Sequence, residues 1–104
     1  MIITLISFKD GRLVESVPLD VMEKEDIKMS LAYAFLYNYT VNVYSDNKKF
    51  DNVKLLSIKY NEKGNLFFSG IYSDNDNIIK KSFSWREIHY IDVNVEREPE
   101  KSTY

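Results

Sequence analysis

Apolar and polar positions alternate along most of this chain, and runs of polar turn residues interrupt the alternation. "IITLISF" (residues 2–8) is β-branched and apolar, "KDGR" follows, and "LVESV" (13–17) resumes the pattern. Asp10-Gly11 is the strongest two-residue hairpin signal in the chain, because Gly accepts positive φ without a Cβ clash. The spacing predicts a hairpin over 2–8 and 13–17, ended by Pro18, which brings no N–H to a ladder. Farther on, "YTVNVYS" (39–45), "FDNVKLLSIKY" (50–60), "LFFSGIY" (66–72), "IIKKSFS" (78–84) and "HYIDVNV" (89–95) read as strands, separated by "DNKK", "NEKGN" and "SDNDN". Strands recurring at this short interval with polar turns between them predict a small barrel or a sandwich rather than a parallel sheet.

Residues 20–38, "DVMEKEDIKMSLAYAFLYN", carry two periods at once. At helical spacing, Ile27, Leu31, Ala34 and Phe35 fall on one stripe. Asp20 would cap that helix with Glu23 three residues on, and Glu23, Glu25 and Asp26 would sit at the positive end of its dipole. At strand spacing, alternate residues from Ile27 to Val43 are also apolar or aromatic. That run is too long for one strand and holds no Gly or Pro to turn it, so helix is the preferred reading.

One further break falls at Trp85-Arg86-Glu87, inside "SFSWREIHYIDVNVE". Ser84 and Glu87 have capping-box spacing, which predicts one short helical or 3₁₀ turn over 85–88 between two strands. Phe83, Ile88 and Ile91, with Trp85 beside them, would then close the core. The expected architecture is α+β: an N-terminal β-hairpin, one α-helix, and a five-stranded antiparallel barrel in the element order of Sm-like and SH3-like barrels. A single domain over 1–96 and a flexible tail over 97–104 follow, since "EREPEKSTY" is charged and contains Pro99.

From Leu31 to about Glu96 the chain resembles the small-barrel pattern shared by the YolD-like family and the WYL domain. The residues that carry the resemblance are "LAYAFLYN", "YTVNVYS" and the closing "SFSWREIHYIDV", with Phe83, Ile88 and Ile91 in the closure. The Trp-Tyr-Leu motif that names the WYL domain is replaced by "LFFSGIY", so no ligand-binding residue carries over. The resemblance implies a regulatory or binding role in bacteria or phages. The abundance of Tyr, Asn, Lys, Ile and Asp, with little Ala or Gly, fits an AT-rich coding source of that kind.

Composition narrows the chemistry. The chain has 104 residues, 44% hydrophobic and 14% aromatic, enough for one core without staples. It contains no cysteine, which excludes disulfides, thiolate metal sites and cysteine catalysis. "MIITLISFKDG" lacks the basic and long apolar regions of a signal peptide, and no stretch reaches the roughly 18 apolar residues of a membrane span, so a cytoplasmic location is expected. A formal net charge of −2 gives no global attraction to nucleic acid.

No enzyme signature emerges. His89 is the single histidine, and neither Ser82 nor Ser84 is spaced to form a triad with it. Asp74 and Asp76 suggest calcium, but an EF-hand loop starting there would put Ile79 where Gly is needed and Trp85 where a carboxylate is needed. Those residues read as turn formers. Glu23, Glu25 and Asp26 are neighbours on one turn and do not face each other across a cleft. No metal, cofactor or catalytic residue is therefore expected.

Binding remains. Tyr44, Tyr60, Tyr72, Lys80, Arg86 and His89 are the candidate partner-binding residues, aromatic or basic and placed at or near strand ends. A protein partner is the preferred expectation, because aromatic anchors give large contact area at low entropy cost. Single-stranded nucleic acid is an alternative: Lys48, Lys49, Lys54, Lys59, Lys80, Lys81 and Arg86 accompany exposed-type tyrosines, although Asp46, Asp51, Asp74 and Asp76 lie near them. A homo-oligomeric structural protein is a third, since small barrels join through strand edges.

Overall fold

The computed structural model describes residues 2–15, 21–46 and 48–97. They form β1 (Ile2–Lys9), β2 (Arg12–Glu15), α1 (Lys24–Tyr37), β3 (Thr40–Ser45), β4 (Lys49–Tyr60), β5 (Leu66–Asp74), β6 (Asn77–Ser84) and β7 (Ile88–Arg97). All seven strands join one antiparallel sheet in the order β2-β1-β7-β3-β4-β5-β6.

This corrects the expected closed five-stranded barrel. The five strands β3–β7 do follow one another with short turns, but the N-terminal hairpin adds to the same sheet. β1 pairs along the side of β7 away from β3, with Ile6 opposite Val93 and Ile2 opposite Arg97. β7 therefore has a neighbour on each side, and β6 is left as an open edge. The sheet still coils strongly. Phe50 on β4 meets Phe83 on β6 with ring centroids 5.2 Å apart, although β5 runs between them. Neighbouring strands in a flat sheet lie about 4.8 Å apart, so two strand steps would separate those rings by nearly twice that distance.

The hairpin turns follow the local chemistry. Asp10 (φ 54°) and Gly11 (φ 75°) both take positive φ, as do Asn75 (φ 48°) and Asp76 (φ 67°), the pattern of type I′ turns. Pro18 and the Asp20 cap lie outside the described residues. The helix begins at Lys24, and its N-cap, Glu23, makes no side-chain cap bond. It ends at Asn38, in the left-handed region (φ 59°), whose N–H returns to the helix carbonyls. Asp26, in the first turn of α1, instead accepts the backbone N–H groups of Asp10 (3.2 Å) and Gly11 (3.0 Å), tying the start of the helix to the β1–β2 turn.

Register assigns the faces. Directly paired residues share a face, and Val41 pairs with both Val53 and Val93, while Val43 pairs with Phe50 and Ile91. This is the core face; Leu66, Phe68 and Phe83 continue it. The helix lies on it, with Tyr33 against Phe8 and Ile27 across a small cleft from Leu66. Ile27, Leu31 and Ala34 are buried as the stripe predicts, but Phe35 is half exposed. The expected turn after β6 is present. Glu87 Oε1 accepts the Ser84 N–H at 3.0 Å, Ser84 Oγ accepts from the Arg86 N–H at 3.4 Å, and Phe83, Ile88 and Ile91 are buried beside it. Arg97, expected to open the tail, belongs to β7; the tail beyond it lies outside the described residues.

Candidate binding surfaces

The six candidate residues do not form one site. Tyr44 lies on the outer face, edge-on to Tyr90 at 5.7 Å. His89 is the extra residue at the register shift of β7 opposite Tyr44 and Ser45, with Nδ1 3.9 Å from an Asp46 carboxylate oxygen. Tyr72 is half buried against Phe50, centroids 5.2 Å apart, and serves the core. Lys80 is exposed on β6. Tyr60 and Arg86 are brought together: both are exposed and line one open groove with Lys63 and Phe67.

Around Tyr44 the outer face holds a polar cluster that sequence reasoning missed. Asn94 Nδ2 donates toward Thr40 Oγ1, Asn42 Oδ1 and Asn52 Oδ1, each at 3.0 Å. Asn42 Oδ1 also accepts the Asn52 backbone N–H at 3.0 Å. A primary amide has two hydrogens, so three oxygens share them. Asn42, Asn94 and Asp92 are all buried although α1 covers the other face. Burial, then the nearby Asp92 carboxylate, push Tyr44 above the ordinary tyrosine range, and a hydrogen bond from Lys49 works against both. Lys49 is itself held above the usual lysine range, chiefly by its bond to Asp51 at 3.2 Å. The cluster knits the irregular register between Val41 and Val43, where Asn52 takes a left-handed φ of 53°. Its bonds are spent within the protein, which makes it a staple for β3, β4 and β7.

The only sequence trace of this cluster is a repeated triplet, Val41-Asn42-Val43 and Val93-Asn94-Val95. Alternation alone reads those asparagines as solvated.

A second surface escaped the pattern reading altogether. The outer side of α1 exposes Met29 (37%), Leu36 (75%) and Tyr37 (56%), and Phe35 (50%) is exposed at the margin of the buried stripe. Tyr37 also packs on Tyr33 at 4.8 Å and on Tyr39 at 6.0 Å, so a ring cluster continues from the helix to its end. The helix is apolar on both sides, which is why neither period stood out cleanly in 20–38.

Among the described residues no helix is long and apolar enough to cross a membrane, and no group of three metal-ligating side chains converges. No family model, curated protein or solved structure matches the chain.

Proposed function

We propose that this chain is a non-catalytic module that binds a protein partner through the outer side of α1. The observation that carries the reading is that Leu36 and Tyr37 are exposed on the same side of α1 as Met29, two turns before them. Single exposed apolar residues are ordinary, but several on one side of one helix form a patch of the kind found at interfaces. Met29, Tyr33, Leu36 and Tyr37 have the i, i+4, i+7, i+8 spacing by which a helix enters an apolar groove. A cysteine-free chain suits a reducing compartment, and we place the encounter in the cytoplasm.

The test is affinity capture from nuclease-treated lysate of the cells that make the protein, using wild type and a Leu36→Glu/Tyr37→Glu variant. A protein captured by wild type and lost from the variant supports the reading. Equal capture by both refutes it. Mass in solution, measured in parallel, identifies a second copy of the chain as the partner if the variant halves it. Both side chains are exposed, so the substitutions should leave the unfolding midpoint nearly unchanged.

A further inference from the structure

The outer face of β4, β5 and β6 is organised in transverse rows. Lys54 pairs with Ile71, and Ile71 with Lys80. Ser57 pairs with Ser69, and Ser69 with Ser82; the hydroxyls of Ser57 and Ser69 are 2.7 Å apart. Lys59 pairs with Phe67, and Phe67 with Ser84. The rows step by two residues along β5, so all nine side chains project from one side, opposite to Phe68 and α1. In a regular strand Lys54 and Lys59, an odd number apart, would point to opposite faces. The bulge between Leu55 and Ser57 inserts one residue and puts them on the same face.

None of the nine is acidic. Lys54, Lys59, Lys80 and Ser82 are exposed, and Phe67, although aromatic, is 39% exposed. Beyond Lys59 a groove lined by Lys63, Phe67 and Arg86 opens at the end of the sheet, with Glu62 its one acidic neighbour; Tyr60 at its rim pairs with Leu66 and turns toward α1, where Lys28 Nζ lies 5.6 Å from its ring. A chain of net charge −2 thus places three exposed lysines and one open ring on this face, with Lys63 and Arg86 beside its end. By strand spacing the rows cover roughly 10 by 15 Å, a footprint of a few nucleotides.

We propose that this face, with Lys54, Lys59, Phe67 and Lys80 continued by Arg86, binds single-stranded nucleic acid. The cations meet phosphates, and the serine hydroxyls meet phosphate or sugar oxygens. The ring of Phe67 stacks an unpaired base, which a duplex does not offer. An acidic peptide would satisfy the lysines but leave that ring without a flat partner. The surface lies across the sheet from the outer side of α1, so it stands apart from the protein-binding reading.

Fluorescein-labelled oligothymidylate and oligouridylate, titrated with the full chain and followed by anisotropy, test this directly. About four phosphate contacts give a log–log salt slope near −3, or roughly 60-fold weaker binding between about 50 and about 200 mM salt. Phe67→Ala should weaken binding about ten-fold, within the range for one stacked base. Lys54→Glu/Lys80→Glu should abolish it, while Lys9→Glu/Lys48→Glu, the same charge change at exposed positions elsewhere, should retain it apart from a small general loss. Circular dichroism of each variant establishes that the fold is kept. Absence of binding at low salt overturns the proposal. So does equal loss in the two lysine pairs, or no effect of Phe67→Ala. A polyglutamate peptide that binds this face as tightly as the oligonucleotides also overturns it and reassigns the surface to acidic protein.

Discussion

Asn94→Asp isolates what the buried amide cluster contributes, because it changes hydrogen bonding without changing shape. Asn94 is 3% exposed and donates toward oxygens of Thr40, Asn42 and Asn52 at 3.0 Å. A protonated carboxyl in its place keeps one donor of two, a loss of about 1 kcal/mol. An ionised one faces three oxygens. Thr40 can rotate its hydroxyl and Asn52 can turn its amide, but Asn42 cannot, since its Oδ1 already accepts the Asn52 N–H. Asp92, fully buried, projects from the same face two residues earlier. The introduced carboxyl is therefore driven to keep its proton, with a folded pKa above the unfolded value of about 3.9. Holding that proton up to pH 7 costs at most about 1.4 kcal/mol per pH unit, or about 4 kcal/mol in total. The sign follows from proton binding: the folded variant holds the proton more tightly, so its deficit is small below the unfolded pKa and grows as pH rises toward the folded one. The variant should be less stable than wild type by about 3–5 kcal/mol at pH 7 and about 1 kcal/mol at pH 4. Urea unfolding of both proteins at the two pH values measures the gap. A gap that is equal at both, or larger at pH 4, refutes the reasoning.

Other perturbations probe other joints of the fold. In Gly70→Ala the new Cβ would fall on Val53 Cγ1 and within 2.8 Å of the Lys54 carbonyl oxygen, so β4 and β5 must part; a loss of about 1–3 kcal/mol is expected in urea unfolding. Asp26→Ala removes the acceptor of two hairpin N–H groups and should cost about 3 kcal/mol, with faster hydrogen exchange at the Asp10 and Gly11 amides as its local signature. The raised pKa values of Tyr44 and Lys49 mean that the folded state keeps both protons longer than the unfolded state does. Their contribution is present below the unfolded values of 10.0 and 10.5 and is lost as pH rises toward the folded ones, so stability should fall through that alkaline window. Tyr44→Phe should flatten part of the fall, and should remove a late-titrating phenol from an ultraviolet absorbance titration.

The strands and turns were legible because local chemistry decides them. Asp10-Gly11 and the Asn75-Asp76 turn state their own conformations, and Ser84 with Glu87 states the break before β7. Closure was not legible. Whether β7 takes β1 or β6 as its second neighbour depends on pairing across the whole chain, and the Ile6–Val93 register that decides it is invisible in either strand alone. The candidate site failed for a related reason. Aromatic and basic residues were chosen by type, while alternation and bulges decide which of them share a face. Tyr72 was thereby sent to the core and His89 to the register shift opposite Tyr44 and Ser45, whereas Tyr60 and Arg86 met in one groove. In "LFFSGIY" the register puts Phe68 in the core and leaves Phe67 beside it on the outer face.

The irregularities of β4 link the two parts of the outer face. At the first, Asn52 takes a left-handed backbone; Asn42 Oδ1 accepts its backbone N–H, and its own Oδ1 accepts from Asn94 Nδ2. At the second, between Leu55 and Ser57, the faces are reset so that Lys59 joins Lys54, while Ile58 and Leu55 stay on the core side opposite Phe68 and Gly70. A strand that alternated without interruption over this length could not serve a single core and also gather these lysines on one face, since a one-residue slip inverts every later side chain. The amide staple fixes one end of β4 and the Ser57–Ser69 contact lies beside the bulge at the other. The lysine rows are therefore a consequence of the same register that buries Phe68 and Phe83. The rows lie on one side of the sheet and α1 on the other, so the two proposed surfaces do not overlap.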